Sequence, residues 1–192
     1  GIEMHPIPVS VPLPEVQYQV FFDDVDLGPD DVLGEVGKGF NILFESLNPE
    51  RILGGAICSG VGRYALEKAV AYACERTVFN GPIGAYQALQ HPLAKAKTEI
   101  ELASLMARKA AWLFDQGLPC GAEANMAKYL AAKASSEAAN AAIQFHGGFG
   151  FACEYDVERK FRETRLYQVA PISTNMVLSY MAEHVLGLPR SY

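Results

Sequence analysis

Four long runs of helical periodicity, separated by breaks that contain glycine or proline, constrain this chain more than any other feature of its sequence. From about Gly84 to Gln116, the residues Leu89, Leu93, Ala96, Ile100, Ala103, Ala107, Ala110 and Leu113 recur at three- and four-residue steps. That spacing places them in one apolar stripe along a helix. From about Ala122 to Phe145 the chain is rich in alanine, with Ala127, Leu130, Ala134, Ala138, Ala141 and Phe145 on one face. A run from about Lys38 to Arg76 precedes these two, and one from about Val157 to Leu186, interrupted at Pro171, follows them. Phe79-Asn80-Gly81-Pro82, Gly117-Leu118-Pro119 and Gly147-Gly148-Phe149-Gly150 supply the breaks. Four amphipathic helices with short connections predict an all-α fold, an up-down-up-down four-helix bundle over residues 34–192. The first run is weak in intrinsic propensity, because each interior glycine among Gly54, Gly55, Gly60 and Gly62 costs ~1 kcal/mol relative to alanine. Packing must offset that, and these small residues, with Ala56 and Ser59, let another helix approach closely.

Residues 1–33 read differently. Val16, Tyr18, Val20 and Phe22 alternate with Gln17, Gln19 and Phe21, the period of a strand, and Asp23-Asp24 and Gly28-Pro29-Asp30-Asp31 close it with turn chemistry. A lone strand cannot satisfy its own backbone, and no second strand signal stands beside it. Residues 1–33 are therefore expected to be the tail of an incomplete β domain.

Composition narrows the function. The chain is 50% hydrophobic and 20% charged, as a globular protein is, and a formal net charge of -6 without any Lys/Arg cluster argues against nucleic-acid binding. Cys58, Cys74, Cys120 and Cys153 form no CxxC pair, so neither a disulfide framework nor a zinc site is expected. Four free thiols suit a reducing compartment: the cytoplasm, or the mitochondrial matrix in a eukaryote. No run reaches the ~18 apolar residues of a membrane span, and the first residues lack the pattern of a signal peptide.

Periodicity stops at a bundle; the motifs go further. Ile143-Gln144-Phe145-His146-Gly147-Gly148-Phe149-Gly150-Phe151, with Glu154 and then Arg162-Glu163, resembles the Q-x-x-G-G-x-G-[YF] and R-[DE] region of acyl-CoA dehydrogenases. Arg76-Thr77-Val78-Phe79-Asn80-Gly81-Pro82-Ile83, with Gln87 and Gln90, resembles their R-x-x-F-G-x-P-I and Q-x-x-Q stretch. Leu33-Gly34-Glu35-Val36-Gly37-Lys38-Gly39-Phe40 resembles the junction of their middle β domain with the C-terminal bundle. Together the motifs cover nearly the whole chain in order.

The resemblance implies an FAD-dependent enzyme that converts an acyl-CoA thioester to the trans-2-enoyl-CoA. A carboxylate takes the proton alpha to the carbonyl, and a hydride leaves the beta carbon. It further implies an electron-transfer flavoprotein-like acceptor and a homotetramer, or dimer of dimers, with the bundles at its centre. Arg76 and Phe79 match positions that reach the flavin of a neighbouring subunit, Gln87 belongs to the same stretch, and Gln144, Gly147 and Gly148 match another cofactor-facing segment. Ser173 and Asn175 align with residues that contact FAD after the usual base motif, I-Y-E-G-T. In that motif the glutamate position falls here on Pro171, which can do no proton chemistry. A minority branch of the family places the base on the first bundle helix, just before an arginine. Leu47-Asn48-Pro49-Glu50-Arg51 matches that placement, so Glu50 is the expected base and Arg51 lies beside the substrate.

Plainer readings stand beside these. Asn48 as N-cap and Pro49 as first helical residue would make Glu50 an ordinary first-turn acid. Arg76 suits a helix C-terminus, and Gly147-Gly148 suits a helix stop. Arg51 suits a salt bridge. The histidines, Trp112, Tyr155 and Tyr167 read as packing or surface residues, and no set of residues has metal-ligand spacing. An acyl-CoA oxidase would share the half-reaction and pass electrons to oxygen, and a non-catalytic bundle subunit would share the fold alone. A piece without the family's other domains is expected to be inactive by itself.

Overall fold

The computed structural model describes residues 1–11 and 16–191, and of Asn41 the backbone. Residues 12–15 of the expected β tail and residue 192 of the expected bundle lie outside the described residues. The chain divides into two compact units, Gly1–Leu47 and Asn48–Tyr192.

In the first unit, strand β2 (Gln17–Phe22) forms where the alternation predicts it. It is not alone: β1 (Ile2–Ile7) pairs with it antiparallel, from Ile2 opposite Phe22 to Ile7 opposite Gln17. The sequence hides β1 because Pro6 and His5 break its apolar alternation. Every residue of both strands is exposed, including Ile2, Met4, Val20 and Phe22. A two-stranded ribbon with both faces in solvent is marginal by itself. Helix α1 (Gly39–Glu75) begins in this unit and belongs to the second from Asn48 onward.

The second unit is helical. A tight hairpin of β3 (Thr77–Val78) and β4 (Gly81–Pro82) follows α1. Then come α2 (Gln87–Asp115), α3 (Gly121–His146), α4 (Val157–Leu166) and α5 (Thr174–Tyr180). Buried contacts give the directions. Leu66 packs with Ala96 and Cys58 with Ala103, so α1 and α2 run antiparallel. Lys109 Nζ lies 3.1 Å from Glu123 and Lys95 Nζ 3.2 Å from Glu137, so α2 and α3 also run antiparallel. Gly55 abuts Ala127 and Gly62 abuts Ser135, so α1 and α3 are parallel. Val157 packs on Ala139 and Ala142, whereas Ile172 meets Lys128, so the last segment returns along α3. This is the up-down-up-down bundle.

The predicted α2 stripe is buried at Ala96, Ile100, Ala103, Ala107 and Ala110. α3 is buried more widely than one stripe, with Ala124, Lys128, Ala131, Ala132, Ser135, Ala139 and Ala142 also enclosed. It is the inner helix, touched by the others on several sides.

The fourth run breaks around Pro171 as expected, and the break is wide: α4 stops at Leu166 and α5 starts at Thr174. Proline at 171 lacks a backbone donor and disfavours helix in the residue before it. The segment between is closed by Thr174, whose backbone N and Oγ1 donate to Gln168 O at 3.1 and 3.2 Å. One reading changes: Asn48 is not an N-cap, because α1 passes through Asn48 and Pro49 without a break.

At Gly62 a Cβ would lie 3.0 Å from Ser135 Cα and 3.1 Å from Ile100 Cδ1, whereas at exposed Gly60 it would meet nothing within 4 Å. In the full-length protein Gly62→Val is expected to lose about 1–3 kcal/mol by overpacking, while Gly60→Ala gains up to about 1 kcal/mol of helix propensity. Urea unfolding midpoints at equal slope measure both.

Candidate active site

One group of expected site residues gathers near Asn48, where the second unit's part of α1 begins. Glu50 is exposed. Arg51, next to it, is buried to 3% exposure, and its Nη1 donates to Asn48 Oδ1 at 2.9 Å. Burial pushes the Arg51 guanidinium below the ordinary arginine range, while Tyr180 and then Glu50 oppose that shift. Arg51 is therefore within electrostatic reach of both α5 and Glu50.

Behind Arg51 lies a residue that sequence reasoning missed. Lys128, on α3, is 1% exposed, and its Nζ donates to the carbonyl of Ile172 in the loop between α4 and α5. Burial lowers its pKa; Cys58 opposes this, and the Arg51 cation adds to it. Cys58, on α1, is pushed up to about 12 by burial, against a hydrogen bond with Ser135 and the charge of Lys128. The sequence signal for Lys128 was positional: it is four residues after Ala124 and three before Ala131, on the second apolar stripe of α3. One residue beyond Ile172, Ser173 caps α5, its Oγ accepting from Met176 N at 3.4 Å. Asn175 follows in the first turn of α5 and is exposed. Glu50, Arg51, Ser173 and Asn175 thus stand on segments linked through Arg51, Lys128 and Tyr180.

A second group gathers at the other end of α1. Arg76 N still bonds Tyr72 O at 2.8 Å, after which the chain enters the β3–β4 hairpin. Phe79 occupies its turn with a φ of 61° and is 90% exposed. A left-handed backbone is costly for a bulky aromatic residue. Arg76, Gly147 and Gly148 line a cavity of about 530 Å³ together with Tyr72, His146 and Phe149. Phe79 and Gln144 line a second, of about 400 Å³, with Tyr86 and Leu89. The two share Val78, Ile83 and Phe145 in their walls.

Gly147 ends α3 with a φ of 59°, and neither it nor Gly148 has an atom within 4 Å of where a Cβ would stand. At Gly150 a Cβ would lie 2.7 Å from Ile143 O, so that glycine is required by close approach. His146 is buried beneath them, with Nδ1 2.7 Å from Ala142 O and its ring stacked on Tyr72 at 4.2 Å between centroids. Tyr155 packs edge-on against both. Gln87 is exposed at the start of α2 and lines neither cavity. Trp112 is exposed rather than packed. Among the described residues no cluster of His, Cys, Asp and Glu could hold a metal ion, and no helix is long and apolar enough to cross a membrane.

Residues 37–186 match the family model described as "Acyl-CoA dehydrogenase, C-terminal domain". The chain belongs to the acyl-CoA dehydrogenase family. Acyl-CoA dehydrogenase FadE12 of Mycobacterium tuberculosis is 50% identical over all of this chain, which spans 50% of that relative. Among solved acyl-CoA dehydrogenase structures, glutaryl-coenzyme A dehydrogenase with glutaryl-CoA superposes with a TM-score of 0.91 at 33% identity, covering 99% of this chain and 48% of that one. Butyryl-CoA dehydrogenase from Megasphaera elsdenii gives 0.83 at 31% identity, over 89% and 45%. The chain thus spans about half the length of the acyl-CoA dehydrogenases it matches.

Two outcomes follow from the buried groups. With its thiol raised to about 12, Cys58 stays almost wholly protonated near neutral pH and resists iodoacetamide in the native protein, while exposed Cys74 and Cys153 are alkylated. Peptide mass mapping reads the three sites. Lys128 carries a lowered pKa in the native state and ~10.4 when unfolded. Between the two values the unfolded chain holds the extra proton, so native stability rises with pH across that window. Wild type is expected to gain on Lys128→Met as pH is raised toward the unfolded-state lysine value. Paired unfolding curves test this, and a gap that is constant or shrinks with pH would be the contrary result.

Proposed function

We propose that this chain is the C-terminal half of an FAD-dependent acyl-CoA dehydrogenase that oxidises an acyl-CoA thioester to the trans-2-enoyl-CoA, with Glu50 as base. The supporting observation is the convergence of Arg76, Phe79, Gln144, Gly147 and Gly148, distant in sequence, on two adjoining cavities. These residues fit the cofactor. An exposed guanidinium beside a glycine backbone with open space suits an anionic diphosphate, and the Tyr72 and Phe149 walls suit a flat ring. When bound, FAD supplies the acceptor for a hydride from the substrate's beta carbon.

The chain's own part is proton transfer and positioning. The Glu50 carboxylate takes the alpha proton of the thioester. Arg51, buried and bonded to Asn48, fixes the turn that presents Glu50 to the substrate. A base for a weakly acidic C–H needs cover from water. Glu50 is exposed here, and we assign its cover to the part of the protein outside this match.

The two groups of residues lie far apart. Glu50 and Arg76 are separated along α1 by roughly 39 Å at ~1.5 Å per residue. A cofactor that met both would need two copies of the chain, which supports a homo-oligomer, a homotetramer in our reading. Leu102, Leu105 and Trp112 on one outer face of α2 are exposed, as a subunit interface requires. The proposed electron acceptor is an electron-transfer flavoprotein.

The test mixes full-length, FAD-loaded protein anaerobically with a panel of acyl-CoAs and follows flavin bleaching. Glu50→Gln is expected to bleach about 10²–10⁴-fold more slowly with FAD content unchanged, and Arg76→Ala to lose FAD without unfolding. Equal bleaching by wild type and Glu50→Gln would move the base elsewhere. Absence of bleaching with every substrate would favour a non-catalytic bundle subunit, and hydrogen peroxide in air would favour an oxidase.

A further inference from the structure

We infer that Lys128 is a positioning residue: its buried ammonium clamps the loop between α4 and α5 onto α3 beside the turn that carries Glu50. The clamp rests on the structure, and its consequence for catalysis rests on the functional reading above.

Lys128 is enclosed in the bundle, on the face of α3 that also buries Ala124, Ala131 and Ala132. The Arg51 cation is within electrostatic reach, and no carboxylate among the described residues forms an ion pair with the ammonium. A buried cation near a second cation is unfavourable, and an apolar side chain of similar length would fill the same space without that penalty. What the ammonium does and a methionine could not is donate to Ile172 O. That carbonyl sits just before Ser173, the cap of α5.

At its start the loop packs Tyr167 on the core of Cys58, Ala103, Ala131 and Ala132, and further on it is bonded to itself through Thr174 and Gln168. Val169 and Pro171 are exposed and give it little to pack on. Lys128 supplies a fixed link between the inner helix and the far end of the loop, next to the start of α5. Arg51 and Cys58 on α1 both act on Lys128 electrostatically, and Tyr180 of α5 acts on Arg51. The ammonium thus stands where α1, α3 and the start of α5 meet. The segment it holds carries Ser173 and Asn175, which the proposed function assigns to the cofactor. Freeing that carbonyl would let the start of α5 shift relative to Glu50.

The experiment uses full-length, FAD-loaded protein as wild type, Lys128→Met and Lys128→Gln, whose shorter side chain falls short of Ile172 O. Thermal melting, amide hydrogen exchange by mass spectrometry, and anaerobic bleaching at varied acyl-CoA concentration are measured on each. The expected result is unchanged or higher melting and exchange faster by about tenfold or more within residues 167–175 alone. Bleaching should slow by about tenfold or more while half-saturation changes little. Unchanged local exchange overturns the clamp. Exchange that rises throughout the bundle with lower melting, or failure of both variants to fold, assigns Lys128 to general stability and overturns the inference. Faster local exchange with unchanged bleaching overturns the positioning role. If wild type is bleached by no acyl-CoA, the functional reading fails instead, and the exchange result still decides the clamp.

Discussion

At Gly62 a Cβ would come within 3.0 Å of Ser135 Cα, and at Gly55 within 3.4 Å of the Ala127 carbonyl group. The bundle is arranged around that approach of α1 to α3. Helix backbones this close exclude large side chains between them, which is why the core beside them is mostly alanine: Ala65, Ala69, Ala131, Ala138, Ala139 and Ala142. The glycines weaken α1 as an isolated helix, since short-range propensity opposes it and only packing restores it. The same approach sets the register that brings Arg51 and Cys58 near Lys128 and Tyr72 under His146.

A core of small residues has a second consequence. The chain's apolar bulk is displaced outward, to Leu53, Leu102, Leu105 and Trp112. Each helix contributes little hydrophobic area to its own bundle, and its larger side chains remain for a surface beyond it. The exposed hairpin of the first unit belongs to the same pattern: an element whose backbone is paired but whose side chains have nothing to cover them.

Much of this was legible in the sequence. The stripes of α2 and α3 follow from three- and four-residue spacing, and the glycine and proline breaks fall where the helices stop. What spacing could not show was decided by longer-range contacts. β1 was hidden because Pro6 interrupts its alternation, and pairing with β2 is what makes it a strand. Asn48-Pro49 has the chemistry of a helix start, yet α1 runs through it, because a proline costs one hydrogen bond and flanking turns carry the rest. At Lys128 the sequence misleads, since a lysine in a periodic helix counts as a solvent-facing position. Only the crowding of α3 by three neighbouring segments turns that position inward. The candidate residues around Arg76 and Glu50 were singled out by motifs, not periodicity, because periodicity reports packing faces and the Arg76 and Glu50 side chains are exposed. Trp112 illustrates the converse: a large aromatic residue that composition assigns to the core stands outside it.

Exposure divides the candidate site residues in a consistent way. Glu50, Arg76, Phe79, Gln144 and Asn175 are exposed, while Arg51, Lys128 and His146 are buried behind them. A group that must meet a ligand has to reach the surface, where its rotamer is loosely held. Its precision must come from a partner that is buried, desolvated and bonded to backbone or amide. Arg51 to Asn48, Lys128 to Ile172 O and His146 to Ala142 O are bonds of that kind. The first and last lie within α1 and α3 and fix side chains on those helices, while Lys128 joins α3 to the loop before α5. The small-residue packing and the placement of the site are therefore one constraint seen at two distances: a close-packed interior is stiff enough to transmit position to side chains that have no packing of their own.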